Sequence, residues 1–145
     1  MSDPLTAALA VVGDRWTFLV VRELGLGEDR FEGLLERTGA PRAVLAGRLR
    51  DLFEHGLVET HDYQEPRRRT RQRYVLSESG RALRPVLAAL AAWGEDHAGA
   101  TPGRLTDRHR GCGGLVTPRL VCECGQLVDV PTDVLTEIHE PIGAA

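Results

Sequence analysis

Apolar residues recur at helical spacing from Leu5 to Leu57, switch there to strand-like chain, and return to a helical period after Ser77. Leu5, Leu9 and Val12, with Ala8 between them, form one stripe of a short helix opened by Asp3 as cap and Pro4 in the first turn, ending near Gly13. A run from Trp16 to Leu26 follows Asp14 as its cap, carries Trp16, Leu19, Val20 and Leu24 on one side and breaks at Gly25 and Gly27, which makes it a core helix. Phe31 to Arg37 is a third, shorter helix on Phe31, Leu34 and Leu35, closed by Thr38-Gly39. The fourth lies within Thr38 to Leu57, punctuated by Gly39, by Pro41 in a first-turn position and by Gly56 where a left-handed stop belongs.

In that fourth helix Leu45, Leu49 and Leu52 stack on the buried side, while the opposite face is small at its centre (Ala43, Ala46, Gly47) and edged by Arg50 and Glu54, with Arg42 on the exposed first turn. Low bulk lets a helix backbone approach a partner, and arginine forks reach guanine edges or phosphates. An ordinary amphipathic helix with solvated charges would read the same on this stretch alone. The pair Phe31 to Arg37 and Arg42 to His55, joined by a glycine-containing turn, has the proportions of a helix-turn-helix.

The extended segments Leu57 to Tyr63 and Arg73 to Leu76 flank Gln64 to Gln72, which predicts a β-hairpin with a long basic tip. Arg67, Arg68, Arg69, Arg71 and Arg73 stand there against one acid, Glu65. Solvated loops carry such runs too, but a basic hairpin directly after a helix-turn-helix can reach phosphates or the minor groove beside the groove the helix fills. Ser77 then caps a long helix running to about His97, with Leu83, Val86, Leu87, Leu90 and Trp93 as its apolar stripe. A helix this apolar at the end of a small domain has more to bury than one neighbour offers, which points to a dimer seam; the alternative is that it packs back on its own core.

Gly99 to Gly103 reads as a linker. Beyond it, His109-Arg110-Gly111-Cys112-Gly113-Gly114 and Cys122-Glu123-Cys124-Gly125 flank an alternating segment expected to form a hairpin turning near Thr117-Pro118. Two cysteine-bearing turns brought together this way would make a zinc ribbon with His109, Cys112, Cys122 and Cys124 as ligands, a structural site with no open position. The second turn is C-x-C rather than the usual C-x-x-C, and a redox-active cysteine pair, a ribbon that no longer binds metal, and plain buried thiols all remain open. After Asp129 the tail is acidic; Asp133 to His139 could form one short helix, with the last residues disordered.

Composition narrows the function classes. At 145 residues there is room for one core and a small appendage. Without a long apolar run or a signal-like N-terminal pattern, the expectation is a soluble, cytoplasmic protein with no membrane role. The net charge of −3 is not that of a uniformly basic nucleic-acid binder, but Arg42 to Arg84 holds ten arginines against six acids, so any anion contact is local. The histidines and carboxylates show no triad or carboxylate dyad, so an enzyme is not expected.

Gly13-Asp14-Arg15-Trp16-Thr17, Arg22-Glu23-Leu24, Phe31-x-x-Leu34, Leu45-x-x-Arg48-Leu49-x-x-Leu52-x-x-x-Gly56-Leu57-Val58 and Tyr74-x-Leu76-Ser77-x-x-Gly80-x-x-Leu83, followed by Trp93, resemble the HxlR family of bacterial winged helix-turn-helix regulators over about residues 5 to 97. The resemblance implies a homodimer, joined through terminal helices, with one recognition helix and one wing per subunit on a roughly palindromic double-stranded operator. Carried over, the recognition helix is Pro41 to Glu54 and the wing Gln64 to Gln72. Some members sense oxidants through a Cys-Pro pair before the first helix; Asp3-Pro4 stands there, without a nucleophile. The expected fold is therefore mainly α with a small β-hairpin wing over residues 1–98, a linker at 99–106, a zinc-ribbon-like hairpin module at 107–131 and an acidic tail at 132–145. The leading function is a dimeric DNA-binding repressor contacting DNA through Pro41, Arg42, Ala43, Ala46, Gly47, Arg48, Arg50 and the arginines 67, 68, 69, 71 and 73. The alternative is a small-molecule or metal sensor with a site in a dimer groove lined by Trp16, Phe18, Leu90 and Trp93, whose bland counterpart is core packing.

Overall fold

A computed structural model describes residues 3–64, 66–129, 132–137 and 139. Within them the chain runs α1 (Pro4–Val12), α2 (Arg15–Gly25), α3 (Phe31–Thr38), α4 (Arg42–Glu54), β1 (Val58–Tyr63), β2 (Arg71–Leu76), α5 (Glu78–Arg81), α6 (Arg84–His97), β3 (Asp107–Arg108), β4 (Leu115–Val116), β5 (Leu120–Val121) and β6 (Leu127–Val128). It divides into two compact units, one ending at Ala91 and the other beginning at Ala92, so the boundary falls inside α6.

The expected caps form. Asp3 accepts from the amides of Leu5 and Thr6, and Asp14 from those of Trp16 at 2.8 Å and Thr17 at 3.2 Å. Ser77 accepts from the Gly80 amide and donates to the Gly56 carbonyl at 2.6 Å, tying the α5 start to the α4 exit. Gly39 and Gly56 end their helices at φ 67° and 71°, conformations that cost other residues. Pro41 stands one position earlier than expected: it is the N-cap of α4, offering no side-chain oxygen, and its carbonyl takes the Leu45 amide.

The first unit closes on α2, which packs against α3, α4 and β2. Leu34, Leu45, Leu52, Val20, Val21 and Val58 are all but sealed from water, and Leu49 lies with them. Glu23 is also buried, at a cost that ion pairs offset: Arg22 at 2.7 Å and, across from α3, Arg37 at 3.5 Å. β1 and β2 pair antiparallel from Val58 opposite Leu76 to Tyr63 opposite Arg71. A bridge between Arg30 and Arg73, with the Tyr74 amide donating to the Asp29 carbonyl at 2.9 Å, fastens this hairpin to the loop before α3.

Three expectations need correction. β2 starts at Arg71, not Arg73, because side chains on a solvated face do not end a ladder; the tip is correspondingly shorter, and its Glu65 lies outside the described residues. The single helix expected from Ser77 to His97 is α5 and α6, broken at Ala82–Leu83. Pro85 explains the break, since it lacks an amide hydrogen and its ring would strike the carbonyl of Arg81, four residues back. Residues 132–137 hold no helix, as an isolated segment this short cannot sustain one. The terminal residues expected to be disordered, and the end of the 107–131 module, lie outside the described residues.

The second unit departs further. Leu115–Val116 and Leu120–Val121 do not pair around Thr117-Pro118; β4 pairs back with β3 and β5 forward with β6. Gly113 at φ 73° and Gly125 at φ 87° supply the left-handed residues that hairpin turns need, whereas Thr117-Pro118-Arg119 has no such residue. The result is two small hairpins rather than one. Their strand side chains Leu115, Val116, Leu120, Val121 and Leu127 are 50% to 68% exposed.

Candidate nucleic-acid interface

The inward leucines of α4 fix what its other side presents. Ala43 and Arg50 are exposed and Ala46, Gly47 and Arg48 half-buried. A Cβ added at Gly47 would have nothing within 4 Å, so this glycine serves no packing need of the fold. Arg42 is oriented rather than loose: Glu32 at the start of α3 accepts from its Nη2 through both carboxylate oxygens, at 3.0 and 2.8 Å, and its guanidinium lies 5.2 Å from the Phe31 ring centre. Arg48 pairs with Asp51 at 3.3 Å.

In the hairpin, strand alternation divides the arginines from the face that meets α4. Thr60, Gln72 and Tyr74 line a cleft shared with Ala46, Leu49, Arg50 and Phe53 of α4. Arg71 and Arg73 belong to the other face. There Arg73 pairs with Asp29 at 3.5 Å and lies 4.9 Å from the Tyr63 ring centre, with Arg30 at 5.1 Å from the same ring. Arg73 thus anchors the hairpin as well as charging it. Arg67, Arg68 and Arg69 form the exposed tip, where Arg67 sits at φ 66°, a position that normally selects glycine. Sequence reasoning missed Glu32, Phe53, Thr60, Gln72 and Tyr74; only the register of β1 on β2 and its approach to α4 reveals the last three. Burial raises the Tyr74 phenol above its ordinary range.

The apolar stripe expected on the long helix splits. Leu83 and Leu87 pack on the core, as do Trp16 and Phe18 of α2, whereas Val86, Leu90 and Trp93 are 44%, 48% and 60% exposed. Leu5 and Leu9 of α1 also face outward.

The His/Cys quartet appears as two pairs, one in each turn of the second unit. His109 Nδ1 and Cys112 Sγ are 3.3 Å apart. The Cys122 thiol is held below its usual range by the Cys124 amide hydrogen, then by the Cys124 side chain and the Glu123 amide. Among the described residues no three His, Cys, Asp or Glu side chains stand close enough to hold a metal ion. His109 and Cys112 share the β3–β4 turn, and Cys122 and Cys124 the β5–β6 turn.

Residues 11–102 match the HxlR-like helix-turn-helix family. The chain belongs to that family. An uncharacterised HTH-type transcriptional regulator of Mycobacterium tuberculosis is 39% identical over 121 residues, covering 82% of this chain and 75% of that one. The crystal structure of the transcription factor PA1607 superposes with a TM-score of 0.77 at 32% identity, covering 94% of each chain. The reduced form of the transcriptional regulator YodB from Bacillus subtilis gives a TM-score of 0.57 at 29% identity over 67% of this chain and 95% of its own. The HxlR-like match takes in α2 to α6 and stops before His109, so the His/Cys turns lie outside what defines the family. Among the described residues no single helix is long and apolar enough to cross a membrane.

Proposed function

We propose that this HxlR-like chain is a DNA-binding transcriptional regulator, a cytoplasmic repressor acting as a homodimer on a palindromic operator. α4 enters the major groove and the hairpin tip grips phosphates or the adjacent minor groove. One observation carries the reading: α4 turns outward a face with open space at Gly47, flanked by Arg42, Arg48 and Arg50 and followed in the chain by the exposed Arg67-Arg68-Arg69 tip. Regulators among its relatives support it. The outward Leu5 and Leu9 of α1 and Val86 and Leu90 of α6 are exposed apolar side chains that a second copy would cover. The experiment is a gel shift on the chain's own upstream DNA across a salt series. Replacing Arg67, Arg68 and Arg69 together by Ala should weaken binding and flatten the salt dependence by about one unit of slope for each phosphate that is no longer neutralised; unchanged affinity and slope would sink the wing assignment.

The second unit supports a further reading, zinc held by His109, Cys112, Cys122 and Cys124. The donor types suit that metal, and each pair is drawn together in a tight turn, but the quartet is not gathered, so the fit is partial. Bound there, zinc would supply folding free energy to hairpins that bury little of their own. Metal analysis of the purified protein, then chelation followed by limited proteolysis, tests it: bound zinc whose removal exposes residues 104–129 to protease supports a structural ion, and no metal with no change on chelation rejects it. Reversible loss of operator binding on chelation, without unfolding, would favour the sensor alternative.

A further inference from the structure

Arg50 and the hairpin share a feature that the basic tip does not. The cleft between α4 and the β1–β2 hairpin has a volume of about 180 Å³, with Ala46 and Leu49 as apolar floor. That is below the roughly 300 Å³ at which small-molecule pockets begin. Arg50, Thr60, Gln72 and Tyr74 open into it, and among the described residues none of these four side chains makes a hydrogen bond or ion pair within the protein. Each of the four can donate, Arg50 can only donate, and no carboxylate lines the cleft. Asp62, directly opposite Gln72 in the strand register and on the same strand face as Thr60, is the nearest acid by register and is not among the lining residues.

A concave site with a permanent cation, three neutral donors and no acid suits an anion whose oxygens only accept. We propose that this cleft seats one backbone phosphate of the bound DNA, clamped between recognition helix and wing by Arg50, Thr60 and Gln72. The inference rests on the DNA-binding reading and refines it. Arg50 is then a positioning contact that sets how deeply α4 sits, and base discrimination falls to Arg42, Arg48 and DNA shape. A hairpin whose Thr60 and Gln72 touch the same phosphate as α4 couples the angle of the wing to the register of the helix.

The test compares the chain's own upstream fragment with a random-sequence duplex of equal length, using the full-length protein. Arg50→Ala should weaken binding to both by a similar factor, about tenfold, and reduce the salt slope by about one. Arg50→Lys should restore the slope. The neutral pair Thr60→Val with Gln72→Ala should weaken both duplexes about equally, with no change of slope. A loss for Arg50→Ala confined to the upstream fragment, with the slope intact, would overturn the proposal in favour of base reading. So would binding of inorganic phosphate that Arg50→Ala abolishes while DNA affinity stays unchanged, since the cleft would then serve a free anion. If the wild-type protein binds neither duplex, the DNA-binding reading itself falls; if it binds both and Arg50→Ala matches it, only the cleft assignment falls.

Discussion

The two units use the same local devices and differ in what lies behind them. Both contain antiparallel hairpins and turns closed by left-handed glycines. In the first, the β1–β2 ladder runs for six residue pairs and packs on α2 and α4, its own Val58 joining Val20, Leu45 and Leu52 in a core where none is more than 2% exposed. In the second, each ladder has two pairs, and Leu115, Val116, Leu120, Val121 and Leu127 are exposed. A two-stranded hairpin alone is marginal in water. The outward face of α4 therefore inherits its geometry from a packed core, whereas the His/Cys turns inherit theirs only from their own backbone. The difference explains why the two regions differ in completeness: the helix–wing cleft gathers donors from three elements, and the turns gather two His/Cys side chains apiece.

Substitutions can break this contrast, beginning with the largest. Leu45→Ala should lower the unfolding free energy in urea by about 2–5 kcal/mol, and Leu120→Ala by no more than about 0.5 kcal/mol. Comparable losses would mean that β5 is covered in solution and the contrast is false. One substitution made at two glycines is the next discriminator. At Gly80 a new Cβ would run into the Leu57 carbonyl oxygen and press on Leu76, so Gly80→Ala should cost about 1–3 kcal/mol. At Gly47 it meets open space, so Gly47→Ala should raise stability by about 0.8–1 kcal/mol in thermal unfolding while weakening operator binding. A variant more stable and equally tight on DNA would remove the helix face from the interface.

Asp14→Ala removes the acceptor for two α2 amides and should cost about 1 kcal/mol, seen as a lower melting temperature. The smallest effect belongs to the second unit. With its thiol lowered, Cys122 carries more thiolate at neutral pH than an ordinary cysteine, so in metal-free protein iodoacetamide should label it before Cys112, with the rate levelling off at lower pH. Equal rates for the two, followed by mass spectrometry, would show that the Cys124 amide does not reach that sulfur in solution.

Much of the first unit was legible in the residues themselves because its rules are local. Asp3, Asp14 and Ser77 cap where a short oxygen-bearing side chain precedes an apolar period, and Leu45, Leu49 and Leu52 turn inward as their spacing requires. Gly56 stops α4 in the left-handed region. What escaped depended on weighing one local rule against another. The break before α6 needed the Pro85 ring to outweigh a continuous apolar stripe, and the two C-terminal hairpins needed glycine turns to outweigh strand alternation.

By itself, the sequence determined the order of the first four helices, the Asp3, Asp14 and Ser77 caps, the helix-turn-helix pair, the basic tip and the likeness to the family, since each follows from residue identity and short-range spacing. Only the tertiary structure decided that Arg73 binds Asp29, that Glu32 aims Arg42, that Thr60, Gln72 and Tyr74 meet Arg50 across a cleft, and that the four His/Cys residues stand as two pairs. These facts turn on strand register and on which faces are buried together. No periodicity within a single element encodes the first three, because each joins residues brought close by packing; the His/Cys pairs are local in sequence, and the fold decided only that β3–β4 and β5–β6 carry them in separate hairpins.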